Sequence, residues 1–330
     1  MDHDMDLNGV ISPVPTPFVG EEVDLSRFRE NLEMWMSWQG PGPPGGGGPF
    51  RLSGVLVGGS NGEGPLLADR EVENLVRVAR EVVPRDRLLL AGVTRESTLA
   101  ALNMAQRVAG LGADAVLVGA PIYFRRQMST EDIVSHFEAV AAALPIPVIL
   151  YSVPRFSGFE IPVQVVQRLS SNPRIAGLKD SGVDTSRVVE ILAGDHPVKG
   201  DGFRVMAGNA TVFYPALACG AAGGILAAAC VVPGLACALL AAWQANDQNA
   251  ARRIQKRLTP LARAVTVEHG VAGLKLTLEM IGLHGGPPRL PLRPLPEKSR
   301  AALRRVLDHA LWASGEELGA GARLVDRATS

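Results

Sequence analysis

The chain has 330 residues, 33 basic and 33 acidic side chains and a formal net charge of +0. That balance argues against a nucleic-acid or acidic-membrane surface as its partner. Three cysteines (Cys219, Cys230, Cys237) without CxxC spacing and six scattered histidines exclude a disulfide framework and any recognisable metal motif.

The first eight residues, Met1 to Asn8, carry three aspartates and no apolar run. They read as neither a secretory signal nor an Arg-rich transit peptide. With the cysteine usage, this leads us to expect a cytoplasmic protein. From there short apolar runs alternate with longer helical ones. Strands are expected at Gly9–Phe18, Gly54–Gly59, Leu88–Val93, Ala115–Ala120, Pro147–Tyr151, Ile175–Lys179, Phe203–Ala207 and Gly223–Ala228. Pro13, Pro15 and Pro17 confine pairing in the first run to its early part. Helices are expected between and after them, at Asp24–Trp38, Asp69–Val82, Thr98–Leu111, Thr130–Ala143, Pro162–Leu169, Thr185–Leu192, Val212–Ala218 and Leu235–Trp243. The apolar stretch Gly220 to Ala242 is broken by Pro233 and Gly234, so it reads as a strand and a helix, not a membrane span.

Eight strand–helix repeats in order are the mark of an α/β protein built as a closed (β/α)8 barrel of the TIM type. Residues 1–245 form that barrel in this reading, with a disordered Gly/Pro insert at 40–49. Helical patterns at Asp247–Val267, Val271–Ile281 and Pro296–Ala313 make a C-terminal extension, residues 246–314, and 315–330 a frayed tail. The insert, PGPPGGGG, cannot pack a core. It joins a helix to the next strand, at the barrel end opposite the catalytic face, and is expected to be functionally neutral.

Barrel chemistry sits at the C-terminal strand ends. The lysines are Lys179, Lys199, Lys256, Lys275 and Lys298, and only Lys179 closes an apolar strand. Burial there depresses an amine pKa, and a neutral amine attacks ketones, so Lys179 is the candidate Schiff-base former. Strand alternation puts Ser181 on its face and Asp180 on the other, so Asp180 is not its direct counter-ion. Tyr151 ends the fifth apolar strand, placed to shuttle protons or simply to fill core. Gly58 to Gly64 make a tight turn whose N–H groups, with Ser60 and Asn61, suit a carboxylate. Dinucleotide spacing is absent, and Glu63 would repel a phosphate. Gly208 and Asn209 end the seventh strand and Gly223-Gly224 begin the eighth; these glycines are expected to leave room above the barrel for a small ligand.

GSNGE (Gly59–Glu63), PIY (Pro121–Tyr123), YSVP (Tyr151–Pro154) and GLKDS (Gly177–Ser181) stand in that order. Together they resemble the dihydrodipicolinate synthase and N-acetylneuraminate lyase family of class I aldolases, from about Gly9 to Leu311. Within it, Ser60, Asn61, Ser152 and Ser181 follow the pattern of 4-hydroxy-2-oxoglutarate aldolase. Where synthases of the family place an arginine after the YxVP motif, this chain has Phe156, with Arg155 one position earlier.

The resemblance implies catalysis by Lys179 as Schiff base and Tyr151 as proton relay, without a metal or other cofactor. Tyr123 would be lent by a neighbouring subunit of a homotetramer built from dimers. Ser60 and Asn61 would bind the substrate's 1-carboxylate, with Ser181, Gly208 and Asn209 also lining the site. The expected reaction is cleavage of 4-hydroxy-2-oxoglutarate to pyruvate and glyoxylate. The alternatives are a synthase condensing pyruvate with aspartate semialdehyde, a related 2-oxo-acid lyase or dehydratase of the same family, and a silent barrel that only binds a small acid.

Overall fold

Eight short strands pair in parallel and close on themselves. The structure is a computed structural model that describes residues 5–42, 48–193 and 202–318. In chain order the strands are β1 (Val10–Pro13), β2 (Phe18–Val19), β3 (Glu22–Val23), β4 (Gly54–Val57), β5 (Leu88–Gly92), β6 (Ala115–Gly119), β7 (Val148–Ser152), β8 (Ile175–Asp180), β9 (Arg204–Ala207) and β10 (Gly223–Ile225). The barrel runs β1-β10-β9-β8-β7-β6-β5-β4, and β4 pairs back to β1. β2 and β3 form a small separate hairpin. Each is only two residues long, too short to show an alternation in the sequence.

Strand alternation divides the apolar residues into two cores. Leu7, Ile11, Leu56, Leu90, Leu117, Ile149, Tyr151, Met206 and Ile225 pack together inside the barrel. Val55, Val57, Leu89, Val116, Val118, Leu150 and Leu178 face outward, into the layer shared with the helices. The expected helices surround the barrel, beginning with Leu25–Ser37. Asp24 caps it by accepting from the Arg27 N–H at 3.0 Å, as its residue type predicts.

After the barrel come helices Gln248–Ala262, Gly270–Met280 and Glu297–Leu318. Two details differ from the sequence reading. Arg263–Glu268 is a π-helix, not the end of an α-helix. The last helix continues to Leu318, past the point where a frayed tail was expected, and its own Ala310 and Ala313 are buried. Its Glu316, Glu317 and Leu318 are good helix formers, so Gly315 does not stop it. Residues 319–330 of that tail lie outside the described residues.

Residues 43–47 of the Gly/Pro insert also lie outside the described residues. Its flanks are joined by an antiparallel bridge between Gly40 and Phe50, with both N–H to carbonyl distances 2.9 Å. The stretch Gly220–Ala242 resolves into β10, a 3-10 turn and the helix Pro233–Gln244. Among the described residues no helix is long and apolar enough to cross a membrane.

Candidate active site

β7 and β8 lie side by side with Tyr151 opposite Lys179 and Ser152 opposite Asp180. The register turns Lys179 and Tyr151 into the barrel mouth and Asp180 outward. Lys179 is 4% exposed, and its Nζ lies 4.5 Å from the centre of the Tyr151 ring. Asp180 takes the role that alternation requires. Its Oδ2 accepts from Arg187 Nε at 2.7 Å and its Oδ1 from the Gly182 N–H at 2.9 Å, locking the turn behind the lysine.

Burial pulls the Lys179 amine down from its ordinary value to about 7. The Tyr151 ring face favours the ammonium by about 1–2 kcal/mol, less than desolvation costs it. The nearby Cys230 thiol is itself pushed up to about 12 by burial, so it stays neutral and inert. Tyr151 is raised by burial, and the Ser60 and Ser181 hydroxyls draw it partly back. Its phenol oxygen is 3.1 Å from Ser60 Oγ. A protonated phenol held between two serine hydroxyls can pass a proton either way.

Ser60, Asn61, Tyr151, Lys179, Ser181, Gly208 and Asn209 line one cavity at the barrel mouth. Their convergence is the arrangement read from the sequence. Three of them also hold the local fold. The Asn61 amide donates to the Pro13 carbonyl at 3.2 Å, which holds the turn. Among the described residues, the Ser60 and Asn61 N–H groups donate to no backbone carbonyl. Asn209 Oδ1 accepts from the Thr211 N–H at 3.0 Å and hydroxyl at 2.8 Å, so it caps the following turn. Gly208 is needed for Ser181, because a Cβ there would sit 2.1 Å from Ser181 Oγ.

Gly223 and Gly224 do not make room above the barrel. They begin β10 at its opposite end, and a Cβ on Gly223 would lie 2.3 Å from the Gly9 carbonyl oxygen. Close strand packing requires this glycine, not a ligand.

Tyr123 is absent from the cavity of its own chain. It stands 80% exposed beside Phe124, on a loop held where Glu96 accepts from the Ile122 and Tyr123 N–H groups at 3.0 and 2.9 Å. Two further polar side chains of the cavity escaped the sequence reading as site residues. Arg155 lines the cavity and donates through Nη2 to the Val267 carbonyl. Thr266 reaches it from the π-helix, which no local pattern announces. A second, larger cavity of about 390 Å³ lies behind Tyr151 and Ser60, between Gly58, Thr94, Ile122 and Phe156.

A desolvated amine beside a phenol, at the C-terminal mouth of a parallel barrel, defines a class: carbon–carbon lyases working through a lysine Schiff base. The model of the dihydrodipicolinate synthetase family matches residues 50–310. A 4-hydroxy-tetrahydrodipicolinate synthase of Exiguobacterium sibiricum is 33% identical over 91% of this chain and 97% of its own. Among solved structures, a dihydrodipicolinate synthase of Bacillus anthracis superposes with a TM-score of 0.82 at 29% identity, covering 92% of this chain and 98% of that one. The 4-hydroxy-tetrahydrodipicolinate synthase of Methylacidiphilum fumariolicum gives 0.84 at 27%, covering 94% and 98%. The chain belongs to the dihydrodipicolinate synthetase family.

These relatives overturn the expectation of a 4-hydroxy-2-oxoglutarate aldolase. That expectation rested on the four side chains Ser60, Asn61, Ser152 and Ser181, and on Phe156 where synthases place an arginine. Similarity to synthases extends over nine-tenths of the chain. One of the four, Ser152, faces away from the cavity opposite Asp180, so it cannot select a substrate by contact.

Proposed function

We propose that this enzyme condenses pyruvate with an aldehyde that carries an acid group, in the manner of a 4-hydroxy-tetrahydrodipicolinate synthase. The neutral Lys179 amine adds to the keto carbon of pyruvate and loses water to form an imine. Loss of a methyl proton gives the enamine, whose carbon attacks the aldehyde. The new alkoxide takes a proton through Tyr151. With aspartate semialdehyde, the substrate's own amine then displaces Lys179 and closes a ring. Ser60, Asn61 and the N–H groups of their turn hold the pyruvate carboxylate, and Ser181 orients Tyr151.

The observation that carries this reading is the buried Lys179 amine, lowered to about 7, beside the Tyr151 ring. Arg155 supports the acidic aldehyde. It is the other basic side chain lining the cavity, and the Val267 carbonyl engages one edge of its guanidinium. Tyr123 of a second copy completes the relay by entering the cavity behind Tyr151, and the exposed Phe124 packs against that copy. Homotetrameric assembly from such dimers belongs to the same proposal. So does the division into a barrel to residue 245 and a helical extension that supplies Thr266.

The test is borohydride trapping with labelled pyruvate, followed by pyruvate consumption with aspartate semialdehyde and with a neutral aldehyde of equal length. Label on Lys179 and a preference for the acidic aldehyde that Arg155→Met abolishes are expected. Label absent from Lys179, or no consumption of pyruvate with either aldehyde, refutes the reading.

A further inference from the structure

The turn that carries Ser60 and Asn61 is held from behind by a charge that the reaction does not touch. Glu63 is 1% exposed and lies in the left-handed backbone region at φ 57. A non-glycine residue there costs about 1 kcal/mol or more and persists only where its surroundings over-determine it. Both carboxylate oxygens of Glu63 are engaged. Oε1 accepts from Lys275 Nζ at 2.5 Å, and Oε2 accepts from the Arg289 backbone N–H at 2.7 Å.

Lys275 comes from the helix Gly270–Met280, outside the barrel, and is 1% exposed. It also donates to the Pro287 carbonyl at 2.8 Å and lies 4.3 Å from the centre of the Phe18 ring. Burial lowers its pKa, and Glu63 opposes that shift. From Glu63 the path to the substrate turn is one hydrogen bond long, because its own N–H donates to the Ser60 carbonyl at 3.1 Å. Other ties of the turn include Thr16 Oγ1 to the Gly62 carbonyl at 2.7 Å, Asn61 Nδ2 to the Pro13 carbonyl, and the Gly64 N–H to the Gly59 carbonyl at 3.0 Å.

A buried ion pair is a poor source of stability, since apolar residues of similar volume often serve as well or better. Its position behind this turn fits a demand on geometry. We infer that Glu63 and Lys275 are positioning residues, which set the turn so that Ser60 meets Tyr151 and the turn's N–H groups receive the substrate carboxylate. The inference rests on the reading that this turn binds the carboxylate of pyruvate.

Steady-state kinetics and melting temperatures of four variants test it. Ser60→Ala first checks the site, and must raise the pyruvate KM. If it does not, the underlying reading fails. Glu63→Gln and the double variant Glu63→Gln/Lys275→Met are expected to raise that KM about tenfold while kcat at saturating pyruvate stays within about threefold. Arg289→Ala is the control. It removes the guanidinium contacts to Glu71 and to the Leu66 and Glu21 carbonyls but keeps the backbone N–H on Glu63. It should lower the melting temperature and leave KM unchanged.

Wild-type KM in the folded double variant, with Ser60→Ala impaired, overturns the positioning role alone. An equal rise in KM in Arg289→Ala overturns it as well. Failure of both Glu63 variants to fold makes the pair an element of stability and likewise refutes it.

Discussion

In the proposed mechanism the ionisation of Lys179 sets the pH at which the first bond can form. An ordinary lysine at pH 7 is neutral about three times in ten thousand; with its pKa at about 7 it is neutral half the time. Burial thus enriches the nucleophile about a thousandfold, at a cost of about 5 kcal/mol in differential solvation. The assay is the initial rate of borohydride-trapped imine formation at subsaturating pyruvate, from pH 5 to 10. The rate should rise with one proton's slope and level off near pH 7. A rate still climbing tenfold per unit at pH 9 would refute the reasoning, because it would mean a solvated amine.

Stability carries the same signature with a definite sign. Between about 7 and 10.5 the unfolded chain holds a proton on this lysine that the native chain has lost. Stability therefore rises with pH through that window, and the whole cost is present below it. Lys179→Met, close in volume and without charge, should abolish trapping yet melt higher than the wild type at pH 6, by an amount that shrinks towards pH 10.

Three other outcomes follow from the geometry. Tyr151→Phe removes the hydroxyl that meets Ser60 but keeps the ring over Lys179, so kcat should fall about 10²- to 10⁴-fold with little change in melting temperature. Asp180→Asn leaves the Arg187 guanidinium buried beside a neutral partner and should destabilise the fold by about 3 kcal/mol, read by urea denaturation. Tyr123→Ala with Phe124→Ser should weaken self-association in sedimentation and lower activity in parallel; a monomer of unchanged activity would remove Tyr123 from the relay.

Alternation and spacing determined the barrel, because each strand is a short apolar run and each helix has its own punctuation. Asp24 marks a helix start in one dimension and again in three, while Pro233, read as a break, opens the helix that was expected from Leu235. The same alternation separates Lys179 from Asp180, since a strand leaves its side chains no choice of face. Chain order at the strand ends likewise brings Ser60, Tyr151, Lys179 and Ser181 into one cavity, because a closed barrel gathers all its C-terminal ends. Local pattern could not decide what a distant segment contributes. Thr266 enters the site from a π-helix more than eighty residues beyond the lysine strand, and Lys275 meets Glu63 across 212 positions. Glu63 looked like a repellent of anions, yet folding turns its carboxylate inward to a cation. The Gly223-Gly224 pair looked like space for a ligand, yet it is space for a neighbouring strand. Both misreadings have one cause. A residue's chemistry is written in the chain, but the sign of the charge and the atom that it meets are set only when remote elements pack.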